Sequence, residues 1–144
     1  MKRLFSSFAA IMLALSAMAC TNFLVGRLAS TNGQTMISYA ADSYNLYGFL
    51  RYQPAADHEA GTMRKIYDWD TNKYLGEIPE VAHTYSVIGN MNEKQLSIGE
   101  TTYGGRHELN DSTGIMDYGS LIYVALERCA TAREAILCIA DLTK

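Results

Sequence analysis

The stretch of sequence that decides the fold is residues 20–37, which read CTNFLVGRLASTNGQTMI. Residues 20–25 are mostly apolar or β-branched, as is typical of a strand. Asn32-Gly33 is the strongest short-range signal for a β-hairpin, because both residues tolerate the positive φ angles of a tight turn. Residues 34–41 are predicted to return as a second strand. The sequence therefore predicts an antiparallel hairpin that starts at Cys20.

The register of this hairpin follows from the length of its turn. If residues 32–33 form a two-residue turn, paired residue numbers add up to 65, which places Asn45 opposite Cys20 and Asp42 opposite Phe23. At about 3.3 Å per residue, Asp42 then lies roughly 10 Å along the ladder from the point opposite Cys20. A bulge or a bend would shorten that distance, so we expect a carboxylate near Cys20.

Beyond the hairpin, the chain has short strand patterns first and helix patterns second. Strands are predicted at 44–52, 64–67, 74–77, 85–88 and 96–100, the last four forming two antiparallel pairs. Asp117 is placed to cap a helix, and Thr131 with Glu134 has the spacing of a capping box for a second helix. No stop signal follows that second helix before Lys144. Strands followed by helices indicate an α+β fold.

Residues 1–19 have the pattern of a cleavable signal peptide. Lys2 and Arg3 are followed by an uncharged apolar run over 4–17, and residues 17–19 read Ala-Met-Ala, the small-x-small form of a cleavage site. A retained membrane anchor is the alternative, but spanning a bilayer takes about 20 apolar residues and this run is shorter. The sequence therefore predicts export, to the periplasm or the extracellular space.

Charge and cysteine content limit the classes of function. Of 12 basic residues, Lys2 and Arg3 leave with the signal peptide, so ten remain against 15 acidic ones, a formal charge of −5. Such an acidic chain is not expected to bind nucleic acid or anionic lipid. Cys129 and Cys138, on predicted helices, are expected to be buried small hydrophobic residues and not a disulfide. Cys20 is therefore the cysteine that is the candidate for a chemical role.

Cleavage after residue 19 would give Cys20 two reactive groups on one residue. Its thiol is a nucleophile, and its free α-amine can accept the thiol proton directly or through a water. The usual pKa of an α-amine is about 7.7–8.0, so a useful fraction is neutral near physiological pH. The sequence thus predicts an N-terminal nucleophile that needs no histidine.

Two other interpretations of Cys20 stay open. Bacterial lipoproteins also carry a cysteine directly after the signal, although their peptidase prefers a large aliphatic residue where this chain has Ala17. A lipid on the sulfur and an acyl group on the amine would abolish the base. Cleavage elsewhere would leave Cys20 as an inert core residue.

A series of segments matches one known family. These segments are 20–26, 29–37, 40–43, 63–67, 89–93, 100–102, 114–123 and 131–136. They resemble the bacterial dipeptidases of the N-terminal-nucleophile (Ntn) hydrolase superfamily, over essentially the whole chain after residue 19. The resemblance implies an αββα sandwich and hydrolysis of dipeptides, with bile-salt hydrolases and penicillin acylases as distant relatives.

The resemblance also implies roles for individual residues. Cys20 matches the nucleophile, and Asp42 matches the acidic residue that orients the nucleophile's amine. Thr101 lies in the segment where relatives place an oxyanion-hole group, and residues 92–93 match a signature turn. Many relatives carry an arginine three residues before the aspartate, where this chain has Tyr39. That departure removes a cation that could pair with a substrate carboxylate or with the thiolate.

Simpler interpretations remain for Asp42, Asn92 and the segment at 100–101. Asp42 could be a turn residue ahead of Ser43, and Asn92 could be a turn former. Glu100 and Thr101 could belong to a strand with an outward carboxylate.

No cofactor or metal is expected. His58, His83 and His107 lack the spacing of metal ligands, and His58-Glu59 has no second histidine to make a zinc-protease motif. The loop at 104–106 is too short to hold a phosphate.

These observations predict an exported cysteine-type dipeptidase that forms an acyl-enzyme on Cys20. Another amide hydrolase or acylase of the same superfamily is the alternative within the class, and a non-catalytic lipoprotein anchored at Cys20 is the alternative outside it. Because relatives draw a second oxyanion group from sequence further downstream, residues 20–144 are expected to be the N-terminal portion of the peptidase domain.

Overall fold

A computed structural model of the protein describes residues 20–41, 48–101, 105–109 and 111–144. The described residues divide into two compact units, each presented by itself below. The first unit contains residues 20–41 and 100–101, and the second contains 48–99, 105–109 and 111–144. The predicted signal peptide, residues 1–19, lies outside the described residues.

The first unit is built on the predicted hairpin, but its connection is longer than a two-residue turn. β1 (Thr21–Val25) pairs antiparallel with β2 (Met36–Ala40), and a 3-10 helix (Arg27–Ala29) lies between them. The Gly33 N–H donates to the Ser30 carbonyl at 3.5 Å, and Gly33 takes the predicted positive φ, 70°. Asn32-Gly33 therefore turns the chain within a loop over residues 26–35.

The longer loop changes the strand register. Paired residue numbers add up to 61 and not 65, so that Asn22 pairs with Tyr39 and Phe23 pairs with Ser38. The predicted pairing of Phe23 with Asp42 is wrong, because the loop takes up residues that had been assigned to the strands. Asp42 and Asn45 themselves lie outside the described residues.

The strands of the second unit are short and pair antiparallel. They are β3 (Tyr52–Gln53), β4 (Ala56–Asp57), β5 (Met63–Tyr67), β6 (Tyr74–Pro79), β7 (His83–Thr84), β8 (Val87–Ile88) and β9 (Met91–Asn92). β5 pairs with β6, β4 pairs with β7, and β8 pairs with both β3 and β9. Of the strand predicted at 44–52, only residues 48–52 are described, and there β3 begins at Tyr52.

The β5–β6 hairpin confirms the strands predicted at 64–67 and 74–77. Its turn is held by Asp68, whose Oδ1 accepts from Thr71 N at 2.7 Å and from Thr71 Oγ1 at 2.6 Å. Asn72 follows with a φ of 56°, a conformation that asparagine tolerates better than most residues. Local side-chain chemistry thus determines this reversal, which is why it could be predicted.

The second predicted strand pair is wrong. Residues 85–88 were expected to pair with 96–100, yet β8 reverses directly into β9. Gly89 supplies a φ of 54° for that reversal, so the chain turns back earlier than predicted. Residues 96–100 are all described, and the only β-bridge among them joins Ser97 to Met91.

Both helices begin at their predicted caps. α1 (Tyr118–Arg128) starts after Asp117, whose Oδ1 accepts from Ser120 N at 2.9 Å. α2 (Ala132–Leu142) starts after Thr131, and the reciprocal bonds of Thr131 and Glu134 form the predicted capping box. α2 ends at Leu142, with Thr143 N donating to Ile139 O, so it is shorter than predicted.

α1 is the centre of the hydrophobic core of the second unit. One of its faces packs in a cluster with strand and loop residues and with the following helix; the buried members are Val87, Leu96, Ile122, Tyr123, Ala125, Leu126, Cys129 and Ala135. Val124, on another face, packs with Ile66 and Ile78 of the β5–β6 hairpin. Gly119 lets Trp69 lie against α1, since a Cβ there would be 2.5 Å from the indole Cγ. The helix is therefore buried on several sides.

Charged side chains also join α1 to the β5–β6 hairpin. Arg64 Nη2 donates to Glu127 Oε1 at 3.2 Å, and Arg128 Nη2 donates to Glu80 Oε1 at 2.9 Å. Glu127 is only 3% exposed. A carboxylate at that depth is tolerated because a guanidinium compensates its charge.

Asn92 has a structural role in the same unit. Its Nδ2 donates to the carbonyls of Leu126 and Cys129, each at 2.7 Å, and its Oδ1 accepts from Lys94 N and Leu96 N, each at 3.0 Å. The side chain is thus a turn former, as one interpretation of the sequence held. It also satisfies carbonyls at the end of α1, which an α-helix leaves without partners.

Cys129 and Cys138 are thiols, as predicted. No disulfide joins them, and all three cysteines of the chain are among the described residues. Burial, together with the neighbouring Cys138 thiol, raises the pKa of Cys129 to about 12. Cys129 therefore stays protonated at physiological pH and behaves as a core residue.

Helices and antiparallel strands together confirm the predicted α+β class. None of the helices in the described part of the chain is long and apolar enough to cross a membrane.

Candidate functional site

The candidate site lies in the first unit, at the start of β1. Cys20 immediately precedes the strand and is half-buried. Since side chains alternate between the two faces of a strand, Cys20 and Asn22 lie on the same side of the hairpin. Tyr39 of β2 pairs with Asn22 in the ladder. The hairpin thus places a thiol, an amide and a phenol close together.

A segment distant in sequence completes this arrangement. Residues 100–101 are bound to β1 at two points: Asn22 Nδ2 donates to the Glu100 carbonyl, and Thr101 Oγ1 donates to the Cys20 carbonyl at 3.1 Å. These bonds, at Glu100 and at the residue after it, hold the segment that carries the Glu100 side chain against the start of the hairpin. The carboxylate is therefore positioned by the same strand that carries the thiol.

The Glu100 carboxylate lies between the phenol and the thiol. Its Oε1 accepts from Tyr39 OH at 2.9 Å and is 3.8 Å from Cys20 Sγ. The side chains of Cys20, Asn22, Tyr39 and Glu100 are all partly buried. Electrostatic interactions in such a place are stronger than at a fully exposed surface.

The environment of Tyr39 keeps its hydroxyl protonated. Burial is the largest cause of a strongly raised pKa for Tyr39, followed by the hydrogen bond to Glu100 and that carboxylate's negative charge. The Cys20 side chain raises the pKa of Tyr39 further. Tyr39 is thus a neutral hydrogen-bond donor at any physiological pH. An arginine at the same position would carry a positive charge.

The structure brings together two of the three residues predicted as catalytic. Cys20 and Thr101 are joined by the bond from the Thr101 hydroxyl to the Cys20 carbonyl. That bond uses the only proton of the hydroxyl, so in this structure the Thr101 side chain positions Cys20. Its role in an oxyanion hole stays a prediction. Asp42 lies outside the described residues, and its role in orienting the amine also stays a prediction.

Glu100 and Asn22 are the site residues to which the sequence assigned no role, and Tyr39 was noted only as the position where many relatives carry an arginine. A correct strand register would have placed Tyr39 next to Cys20, because it pairs with Asn22 on the strand that follows Cys20. Glu100 was considered only as an outward carboxylate on a strand. Its contacts with Tyr39 and Cys20 span 61 and 80 residues, and no local signal in the sequence predicts contacts over such distances.

The arrangement offers a nucleophile, a neutral donor and an anion within hydrogen-bond or contact distance. A carboxylate is in general a weaker base than a thiolate, so Glu100 is poorly suited to deprotonate the thiol. It is suited to bind a cation or a hydrogen-bond donor next to the nucleophile. Among the described residues, no group of histidine, cysteine, aspartate and glutamate side chains could hold a metal ion.

Comparison with known proteins identifies a family. The sequence model of peptidase family C69 matches residues 19–144. Neither the comparison with curated proteins nor the comparison with solved structures gives a match. The matched range starts one residue before Cys20 and includes every residue of the candidate site.

Proposed function

The chain belongs to peptidase family C69, which confirms the family assigned from the sequence, and on that premise we propose that it is an exported cysteine-type dipeptidase with Cys20 as its nucleophile. Removal of residues 1–19 as a signal peptide and an αββα sandwich of the Ntn type are parts of this proposal. The observation that carries it is the position of Cys20, which precedes β1 and lies 3.8 Å from a carboxylate held by the same strand.

The proposed reaction begins with the α-amine of Cys20. The neutral amine takes the proton of the thiol, and the sulfur attacks the scissile carbonyl carbon to form a C–S bond. The ammonium then returns that proton to the leaving nitrogen as the C–N bond breaks. This step releases the second amino acid and leaves a thioester on Cys20.

Water completes the cycle. The amine accepts a proton from the water as its oxygen attacks the thioester carbonyl, and the C–S bond breaks. The proton returns to the sulfur, and the first amino acid leaves with a new carboxylate. Because the base belongs to the nucleophile's own residue, no second residue has to supply it.

The site restrains the nucleophile through a hydrogen bond to the main-chain carbonyl of Cys20. Thr101 Oγ1 donates to this carbonyl at 3.1 Å, while Asn22 Nδ2 donates to the carbonyl of Glu100, the residue before Thr101. Holding the reacting groups in a productive geometry can supply several kcal/mol of the barrier reduction. This support favours a role of residues 100–101 in catalysis.

Substitution of the nucleophile tests the proposal. In the processed enzyme, Cys20→Ala should abolish hydrolysis of alanyl-alanine and Cys20→Ser should leave little, a loss on the order of 10³-fold or more. Cys138→Ala, which removes another half-buried thiol, is the control and should keep near-normal turnover.

A second variant tests the amine. A chain that starts Met-Cys20 moves the α-amine away from the sulfur and should be nearly as inactive as Cys20→Ala. Normal turnover of that variant would show that a side chain is the base and would contradict the proposed mechanism.

A further inference from the structure

We propose that the Glu100 carboxylate binds the free α-ammonium group of the substrate, so that the enzyme requires an unblocked amino terminus directly next to the scissile bond. This inference rests on the proposed function and adds to it the residue that limits the substrate class. Glu100 would then act as a binding residue in contact with the substrate.

The distances in the site agree with this assignment. In a dipeptide, the ammonium nitrogen is two covalent bonds from the scissile carbonyl carbon, about 2.5 Å away. That carbon approaches the attacking sulfur to about 3–3.5 Å before reaction. The ammonium must therefore lie within a few ångströms of Cys20 Sγ. Glu100 Oε1, at 3.8 Å from Sγ, is within hydrogen-bond reach of that position.

The charges in the site lead to the same assignment. The contacts of Glu100 with Tyr39 and Cys20 both use Oε1, and Tyr39 is a neutral donor. Among the described residues, no lysine, arginine or histidine forms an ion pair with Glu100. A carboxylate next to a forming thiolate is unfavourable, because like charges repel. A substrate ammonium placed there compensates the carboxylate when the thiolate forms.

The carboxylate is also held in place before substrate arrives. Asn22 binds the main-chain carbonyl of Glu100, and Tyr39 binds the carboxylate itself. The following residue, Thr101, is bound through its hydroxyl to the Cys20 carbonyl. A binding group that is fixed in advance loses little entropy when its ligand arrives. Supporting hydrogen bonds of this kind hold a binding residue in its productive geometry.

Substrate analogues test the inference without any substitution. Propionyl-alanine differs from alanyl-alanine only by lacking the amino group. The processed wild-type enzyme should cleave it about 100-fold less efficiently by kcat/KM, because an ionic hydrogen bond is lost and the charge of Glu100 is left uncompensated. Equal kcat/KM for the two compounds would overturn the inference.

The variant Glu100→Gln then shows whether Glu100 binds the ammonium group of the substrate or serves the amine of Cys20. The variant should lose about 10- to 100-fold in kcat/KM for alanyl-alanine while its kcat/KM for propionyl-alanine changes little. Glu77→Gln, a change to an exposed carboxylate on β6, is the matched control and should leave both values unchanged. An equal loss on both compounds would show that Glu100 serves the amine of Cys20, and would overturn the inference.

Binding measurements keep the inference testable if turnover is absent. In a Cys20→Ala background, calorimetry should show alanyl-alanine binding about tenfold or more tightly than propionyl-alanine, and Glu100→Gln should remove that difference. If the difference in affinity survives Glu100→Gln, the inference is wrong. If the difference depends on Glu100 and yet the wild-type enzyme cleaves no dipeptide, the proposed function fails and the ammonium site stands.

Discussion

Tyr39 shows how one residue changes the electrostatics of a site. At its position, β2 presents a phenol to the Glu100 carboxylate at 2.9 Å. A guanidinium there would form an ion pair with that carboxylate and compensate its charge. The phenol donates a hydrogen bond but carries no charge, so the carboxylate remains available to a cationic ligand. The tyrosine in place of the arginine of many relatives is visible in the sequence, but its effect on the charge of the site depends on Glu100.

The hydrogen bond from Tyr39 gives a prediction about stability and pH. Tyr39→Phe should lower the free energy of unfolding by about 1 kcal/mol at pH 8, the usual contribution of one hydrogen bond. The pKa of Tyr39 is raised in the folded state above its ordinary 10.0, so above about pH 10 the unfolded chain releases this proton first. The wild type therefore loses stability as pH rises from 10, and Tyr39→Phe lacks that loss.

Urea unfolding of both proteins at pH 8 and pH 11 measures this effect. The difference in unfolding free energy between wild type and Tyr39→Phe should shrink at the higher pH. A difference that stays constant, or grows, would show that the pKa of Tyr39 is not raised in the folded state.

At the scale of elements, the contact between the turn after β9 and the end of α1 depends on the buried side-chain amide of Asn92. Asn92 is 3% exposed and makes four hydrogen bonds, two to carbonyls at the end of α1 and two from main-chain N–H groups of its own turn. One side chain thus joins the turn after β9 to the helix at the centre of the core. The segment match at 89–93 has a structural reason in these contacts.

Replacing this amide should destabilise the second unit strongly. We expect Asn92→Ala to lower the free energy of unfolding by about 3 kcal/mol, because it leaves several buried main-chain groups without partners. Asn90→Ala is the control: its side chain makes one hydrogen bond, to the Ile98 carbonyl at 2.8 Å, and about 1 kcal/mol should be lost. Equal losses in urea unfolding would mean that the Asn92 bonds contribute little.

For the whole molecule, the proposed cleavage after residue 19 would connect export to the chemistry of Cys20. The proposed base is an α-amine that exists only if Cys20 becomes the first residue. A chain cleaved elsewhere, or lipidated at Cys20, would keep the hairpin and the contacts of Glu100 but lack that amine. The same cleavage would remove Lys2 and Arg3 and leave the more acidic chain described above.

The expected N-terminus can be determined directly. When the chain is expressed with residues 1–19 in a bacterium, the exported protein should begin Cys-Thr-Asn-Phe, and its intact mass should show neither a lipid nor an acyl group. Replacing Ala17 and Ala19 by bulky residues should block processing and abolish dipeptide hydrolysis. An N-terminus several residues from Cys20 would contradict the N-terminal nucleophile.

Features that depend on neighbouring residues were determined by the sequence itself. The caps at Asp117 and Thr131 and the reversal between β5 and β6 were predicted correctly, because each depends on a side chain bonding main-chain groups within a few residues. The chemistry proposed for Cys20 is also a local feature of the sequence, since nucleophile and base would belong to one residue, and it stays a prediction.

Only the tertiary structure decided the rest of the site. The loop at 26–35 shifted the register by four residues and placed Tyr39 opposite Asn22, and no turn dipeptide indicates the length of such a loop. Glu100 lies against Cys20 and Tyr39 from 80 and 61 residues away. Contacts over such separations form only when the chain closes on itself, and packing, not local sequence preference, selects which residues then meet.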